Sequence, residues 1–365
     1  MKKLLQFIFF VLLLFAQQLA LSQDMPFITS WSTTTSPETI SIPLNGSFDY
    51  DFNFVWKNSA DSSVVTSGTH TSGTFATDLP TAGGYFLEIT GTFPHLQRGY
   101  PVAQLTDVNQ WGDIIWESFN QTFRDWTGVS FSATDVPNLS NATTTFGMFF
   151  GARTFNTDIS DWDLGNVQNM GDMFRGARAF NSDISEWDVS NATNIAQMFA
   201  GAADFNSDIS SWQINENVTS LSGMFRGAEQ FNSNLNTWDV SNITNMFEMF
   251  NQAESFNSDL NNWDVGNVTD MEGMFEEARA FNGNISTWDV GNVSNMSSMF
   301  RFTNVFNADI SSWNVSNVTN MGSMFQGAVV FNADISNWNV ESVTSMGVMF
   351  AEARVFNQDI SSWNV

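Results

Sequence analysis

The chain has 365 residues, no cysteine, and a formal net charge of −26 from 38 acidic and 12 basic side chains. It can form neither a disulfide framework nor a lipid-modified N-terminal thiol, so it is not expected to be a lipoprotein and packing alone must hold the fold. A surface this acidic repels phosphate backbones and anionic lipid, which argues against nucleic-acid partners and against membrane insertion.

Residues 1–22 open with Lys2 and Lys3, run apolar from Leu4 to Ala16, and end on Ala20-Leu21-Ser22 before Gln23. That order is a secretory signal peptide. A membrane-spanning helix needs about 20 apolar residues, and Gln17 and Gln18 interrupt the run first. Export is therefore expected.

Residues 23–98 read as β structure. "FDYDFNFVW" sets Phe48, Tyr50, Phe52, Phe54 and Trp56 at period two, with Asp49, Asp51 and Asn53 between them, the pattern of a half-buried strand. "TISI" (39–42), "SVVT" (63–66) and "YFLEITGTF" (85–93) predict further strands, punctuated by Gly, Ser, Pro and Asp. A small all-β sandwich follows. "GTFATDLPTAGGYFLEITGTFP" (73–94) resembles the closing strands of PKD-like, immunoglobulin-type modules of bacterial surface proteins, although Trp56-Lys57-Asn58-Ser59 replaces their usual Trp-Gly-Asp-Gly turn. The two histidines, His70 and His95, fall here or at the exit and read as loop or edge residues, not ligands.

From residue 140 a longer period takes over. Tryptophans stand at 162, 187, 212, 238, 263, 288, 313, 338 and 363, a spacing of 25 with a single 26 placed in "WQINENVTS". Such a period marks a solenoid or array. Within residues 180–204, Phe180 to Trp187 reads as a short strand centred on Ile184. Ile195, Met198, Phe199 and Ala202 then recur at i, i+3, i+4 and i+7 behind Thr193 as N-cap, which predicts a short helix. The expectation is an α/β repeat solenoid with one short parallel strand plus one short helix per ~25-residue coil. One coil cannot stand alone, because the ~1.5–3 kcal/mol from each buried large side chain is nearly cancelled by about 1.5 kcal/mol of ordering entropy per residue. Stacked coils cover one another's apolar faces, which is why matched positions keep matched residues. The methionine stripe, with 15 of the 17 methionines, reads as core and not as a metal site or adaptable groove.

Polar columns recur as strictly. Asn156, Asn181, Asn206, Asn232, Asn257, Asn282, Asn307, Asn332 and Asn357 follow the phenylalanine and predict an amide ladder along the stack. Asp158, Asp183, Asp208, Asp259, Asp309, Asp334 and Asp359, with Asn234 and Asn284, form a second line, and Asp163, Asp188, Asp239, Asp264 and Asp289 a third. Ca²⁺ could bridge stacked carboxylates, but no glycine-rich nonapeptide or EF-hand loop is present, so turn-capping or solvated aspartates are favoured and no cofactor is expected. The sequons at Asn141, Asn191, Asn217, Asn242, Asn267, Asn292 and Asn317 use residues the coil needs anyway and are not taken as glycosylation sites.

"MFRGARAFNSDISEWDVSNATNIAQMF" (173–199) closely resembles the repeat of BspA-type leucine-rich-repeat surface proteins, also grouped under a domain of unknown function from mycoplasma lipoproteins. Met-Phe, Gly-Ala, Phe-Asn, Asp-Ile-Ser and Trp-Asp-Val recur in order over residues 140–365. "VNQWGDIIWESFNQTF" (108–123) looks like a degenerate first repeat, with Pro137 in the first Trp slot, so 99–139 reads as an N-terminal cap. The resemblance implies a leucine-rich-repeat-like solenoid on a bacterial surface, in adhesion or host-protein binding. Relatives often carry a cysteine at the lipid anchor or in the Gly-Ala slot; this chain has neither. The last coil stops at Val365, two residues after Trp363, and further repeats with an anchoring domain are expected beyond it.

No cysteine nucleophile, no histidine within the repeats and no phosphate-cradling glycine loop is found, so an enzyme is not expected. The leading expectation is a secreted or surface-displayed monomer that binds an extracellular protein or glycan through an extended acidic solenoid face. The alternative is a non-binding structural or display scaffold. Glu186, Ser211, Thr237, Asn262 and Thr287 vary beside the Trp column yet stay polar, and Phe302-Thr303 replaces the usual Gly-Ala, a break that reads as local repacking.

Overall fold

A computed structural model describes residues 24–97, 104–128 and 130–365. The signal-peptide segment lies outside the described residues. The chain divides into two compact units.

The first unit comprises residues 24–94, 104–116 and 130–138. Its strands are β1 (Phe27–Thr33), β2 (Glu38–Ile42), β3 (Asp51–Asn58), β4 (Val64–His70), β5 (Phe75–Leu79), β6 (Gly83–Thr92), β7 (Leu105–Gln110) and β8 (Ser130–Phe131). Six form one sheet in the order β4-β3-β6-β1-β7-β8, antiparallel except for the β7–β8 pair, and β2 and β5 form a separate antiparallel ribbon. The alternation expected over 48–56 is realised in β3, where Phe52 and Trp56 are buried and Asp51 and Asn53 exposed. Phe75 of the ribbon meets Phe52 and Phe54 of the sheet at 5.4 and 4.7 Å between ring centroids, so the ribbon covers the sheet with an aromatic core. β7, within the segment read as a cap, pairs with β1.

The second unit comprises residues 95–97, 117–128 and 139–365. Its coils stack at the 25-residue period, but the expected strand-plus-helix unit is not formed. Among the described residues there is no helix, and the eight strands all belong to the first unit. Residues 180–187, expected as a strand, are irregular, and neighbouring coils share only single parallel bridges such as Asn169↔Asn194 and Asn245↔Asp270. The leucine-rich-repeat-like α/β solenoid is therefore replaced by a stack of turns.

The backbone explains the correction. Over 170–177, Met173, Arg175 and Ala177 donate their N–H groups three residues back, to Met170, Asp172 and Phe174. The residues between them, Asp172, Phe174 and Gly176, donate instead to Ala196, Met198 and Ala200 of the next coil. A helix would keep every such bond inside its own segment. Two residues per coil, four apart, adopt left-handed backbone, as at Asp172 (φ 55°) and Gly176 (φ 72°), which interrupts a right-handed helix each time. The apolar residues at i, i+3, i+4 and i+7 point inward from consecutive turns. Thr193, expected as an N-cap, has its Oγ1 donating to Gln168 O of the preceding coil at 3.3 Å.

What stacks is aromatic. One phenylalanine column, Phe149 through Phe350, runs with ring centroids 5.5–5.8 Å apart between coils. A second, Phe155 through Phe356, runs beside it at 5.7–6.0 Å. The indole rings also lie in file, for example Trp288 to Trp313 at 6.2 Å and 6° between planes. From Trp187 onward each indole N–H finds a carbonyl one coil back, as Trp263 Nε1 to Leu235 O at 2.8 Å. From Trp187 to Trp363 the indole N–H of the file is thus satisfied.

Left-handed backbone disfavours β-branched side chains most. Val348 has φ 54° and is 61% exposed, so its side chain offers little packing in return; glycine holds the matching position at Gly147, Gly223 and Gly273. Val348→Gly is expected to stabilise the protein by about 1 kcal/mol, and Gly176→Val to destabilise it by a similar amount. Urea unfolding midpoints measure both; a less stable Val348→Gly variant would contradict the strain assigned here.

Candidate binding edge

The second left-handed column runs Asp125, Gly151, Gly176, Gly201, Gly227, Gln252, Glu277, Phe302, Gly327, Glu352. Arginines cluster on it. Arg124, Arg175, Arg226 and Arg301 stand one residue before it, and Arg153, Arg178, Arg279 and Arg354 two residues after. These are all the basic residues of the second unit's described chain, so an acidic protein carries its repeat-region cations on one edge.

A groove of ≈ 440 Å³ follows this edge over the first coils. Its floor is the glycine series Gly151, Gly176, Gly201 and Gly227, and its walls include Phe150, Arg153, Arg175, Gln197, Arg226 and Gln252, with Asp125 at one end. The floor is flat because successive glycines nearly touch: a Cβ on Gly201 would lie 3.5 Å from Gly176 Cα. Phe150 holds two guanidinium groups against its ring, Arg124 at 4.2 Å and Arg175 at 5.3 Å, a cation–π arrangement that orders long, flexible side chains.

The wall cations are lightly committed. Arg175 pairs with Asp172 at 3.1 Å and Arg226 with Glu248 at 3.0 Å, the arginine side chains being 41% and 51% exposed. Exposed pairs of this kind contribute about 0–1 kcal/mol. Burial raises the Glu248 carboxyl above its ordinary value, as do Glu276 and Glu272, against the lowering effect of Arg226. Arg153 is exposed and has no ion-pair or hydrogen-bond partner for its side chain among the described residues.

The features singled out in the sequence lie elsewhere and serve the stack. Each asparagine after phenylalanine accepts, through Oδ1, the backbone N–H of the matching asparagine in the next coil at 2.7–2.8 Å, unbroken from Asn156 to Asn357. Sequon amides form another ladder, as Asn191 Nδ2 to Gly165 O and Asn267 Nδ2 to Ser241 O at 2.6 and 2.7 Å. Beside the tryptophans, Ser211, Thr237 and Thr287 donate their hydroxyls to the preceding coil's carbonyls, which explains why that column stays polar. Phe302 lies in left-handed backbone at φ 58°, under the guanidinium of Arg301 at 4.6 Å and against Gly327. His70 is on the edge strand β4, its ring against Phe52 and Phe75. His95 is buried, not exposed in a loop; its Nδ1 lies 2.8 Å from Ser118 O, and burial holds its pKa below the ordinary value.

Most of the aspartates are turn caps, whereas Asp259 Oδ1 accepts the Asn284 N–H of the next coil at 2.8 Å. Oδ1 of Asp158, Asp183, Asp208, Asp309, Asp334 and Asp359 each accepts the backbone N–H two residues on, at 2.9–3.0 Å. Among the described residues no group of three or more His, Cys, Asp or Glu is gathered to hold a metal ion, so the Ca²⁺ reading gains no support. Nor is any helix there long and apolar enough to cross a membrane.

These features define a repeat protein of stacked turns, its coils held by aromatic files and amide ladders, with one edge whose side chains vary from coil to coil. It belongs to the family described as "Mycoplasma protein of unknown function, DUF285", which matches residues 117–218, 215–304 and 282–365. No curated protein and no solved structure matches the chain.

The turn bonds impose a pH dependence. Bonds from Ser185 hold the Asp183 carboxyl below its ordinary 3.8, backbone N–H first and hydroxyl second, and Ser210, Ser336 and Ser361 do the same for Asp208, Asp334 and Asp359. A carboxyl with a depressed folded-state pKa favours folding above its ordinary pKa, and that contribution disappears as pH falls through the folded value. Stability should be insensitive to these groups above about pH 5 and drop below about pH 4. Asn234 and Asn284 already cap the same turn, so Asp183→Asn/Asp208→Asn/Asp334→Asn should keep the fold with a shallower acid limb. Urea midpoints across that range test this; an unchanged acid limb would refute it.

Proposed function

We propose that this protein is exported and works outside the cell as a non-enzymatic binding protein, taking an extracellular protein or glycan on its coil stack. The observation that carries the reading is the contrast between two adjacent columns. Phe149, Phe174, Phe199, Phe225, Phe250, Phe275, Phe300 and Phe325 are constant and buried. The residues next to them along the chain are Phe150, Arg175, Ala200, Arg226, Asn251, Glu276, Arg301 and Gln326. Packing fixes the first column, whereas the second changes in size and charge from coil to coil, which is what a recognition surface needs. Aspartates of the acidic face have turn duties, so the contact is assigned to the arginine edge instead.

Lys2, Lys3 and the apolar run behind them support export. The likeness of the repeats to BspA-type surface proteins, and of residues 73–94 to PKD-like modules, supports surface display with the β unit as spacer. A non-binding scaffold is the second reading, favoured by the regularity of the aromatic files. An array of extracellular-matrix proteins and glycans probed with residues 23–365 separates the two. At least one specific partner is expected, with binding weakened by Arg175→Ala/Arg226→Ala; silence across the array would leave the scaffold.

A further inference from the structure

We propose that the glycine-floored groove over Gly151–Gly227 binds an anionic polysaccharide chain, recognised through its carboxylate or sulfate groups and its hydroxyls. This rests on the binding reading above and names its ligand class.

The floor excludes the usual way of holding a peptide. Gly151, Gly176, Gly201 and Gly227 donate their N–H groups to Arg175, Ala200, Arg226 and Asn251 of the next coil, at 2.5–2.7 Å. With those donors spent between coils, strand addition by an extended peptide has no donor row to pair with. Recognition falls to side chains. Arg153, Gln197 and Gln252 have no side-chain partners among the described residues, while Arg175 and Arg226 each retain donors beyond their single carboxylate contact.

Guanidinium forks pair with planar or tetrahedral anions, and glutamine amides both donate to and accept from hydroxyls. Anions spaced along a chain rich in hydroxyls are the complement of this wall. Arg175 and Arg226 stand two coils apart, about 11.5 Å by the phenylalanine spacings of 5.7 and 5.8 Å beneath them, so the ligand must be a chain and not a single sugar. Three of the local cations have a carboxylate beside them, Asp125 at 3.6 Å from Arg124, Asp172 at Arg175 and Glu248 at Arg226, so Arg153 supplies the unpaired charge and Arg175 and Arg226 supply their remaining N–H donors. Beyond Gly227 the floor ends, where Gln252, Glu277 and Phe302 take the glycine's place, and Glu254, Glu276 and Glu277 reverse the local charge.

The test uses residues 23–365 and four immobilised polymers: polygalacturonate, dextran sulfate, neutral dextran and polyglutamate. Binding to polygalacturonate or dextran sulfate is expected, weakening as salt rises, and the stronger of the two identifies the anion. Neutral dextran should not bind, and polyglutamate should bind at least tenfold more weakly than the preferred glycan. Arg153→Glu, at a residue whose side chain makes no hydrogen bond or ion pair among the described residues, should weaken binding about tenfold or more with an unchanged unfolding midpoint. Binding of neither anionic glycan, equal binding of polyglutamate, or indifference to Arg153→Glu would overturn the proposal. If the extracellular array still shows a partner in that case, the binding reading survives and only the ligand class falls.

Discussion

Everything in the repeat unit depends on alternate backbone N–H groups reaching across to the next coil. Asp172, Phe174 and Gly176 each bond the coil ahead, and the residues between them bond within the turn. A shift of one residue would exchange the two sets, leaving buried donors unpaired at about 1–3 kcal/mol each, and would displace the phenylalanine files. The amide ladder from Asn156 to Asn357 adds the same demand on another side. Register is therefore fixed at several points around each coil, and the repetition of the sequence records that constraint.

The structure divides its labour by position in the coil. Inward residues stack ring on ring, at about 0.5–1.5 kcal/mol per pair beyond burial. Aspartates and their following serines close one turn, tryptophans close another by bonding the preceding coil, and polar residues beside the tryptophans tie coil to coil. On the arginine edge the backbone bonds recur in every coil, while side-chain ties between coils are local, as from Asn251 to Glu276 and from Arg301 to Gln326. Side chains there can change without disturbing the stack.

The period, the stacking, the tryptophan file, the asparagine ladder and the turn-capping aspartates were legible in the sequence because each follows from identical residues meeting at identical sites. The helix was misread because Met170, Met173, Phe174 and Ala177 have helical spacing whether they lie on a helix or on consecutive turns. Glycine pairs four apart, Gly147/Gly151 and Gly223/Gly227, were the available warning, since each glycine inside a helix costs about 1 kcal/mol. β1 escaped notice because Thr29 and Thr33 face inward; Thr29 Oγ1 accepts the Trp31 indole N–H at 2.8 Å, which makes a polar residue fit a buried face. The arginine edge was hidden by the net charge. Its signal was the phase of the arginines within the repeat, not their number.

A rigid stack with one free edge can carry different chemistry along its length. The edge is basic with an open floor at Arg153, Arg175 and Arg226. It turns acidic at Glu254, Glu276 and Glu277 and is closed at Phe302, whose ring occupies the space above Gly327. Farther on, Val305, Val330 and Val355, one coil apart, are each 41–49% exposed. The phenylalanine columns beneath hold the same spacing through all three zones. The core therefore does not dictate the change. Because a substitution on the edge leaves the inter-coil backbone bonds intact, each coil's edge residues can be set by what they contact, and the break at Phe302 separates one such surface from the next.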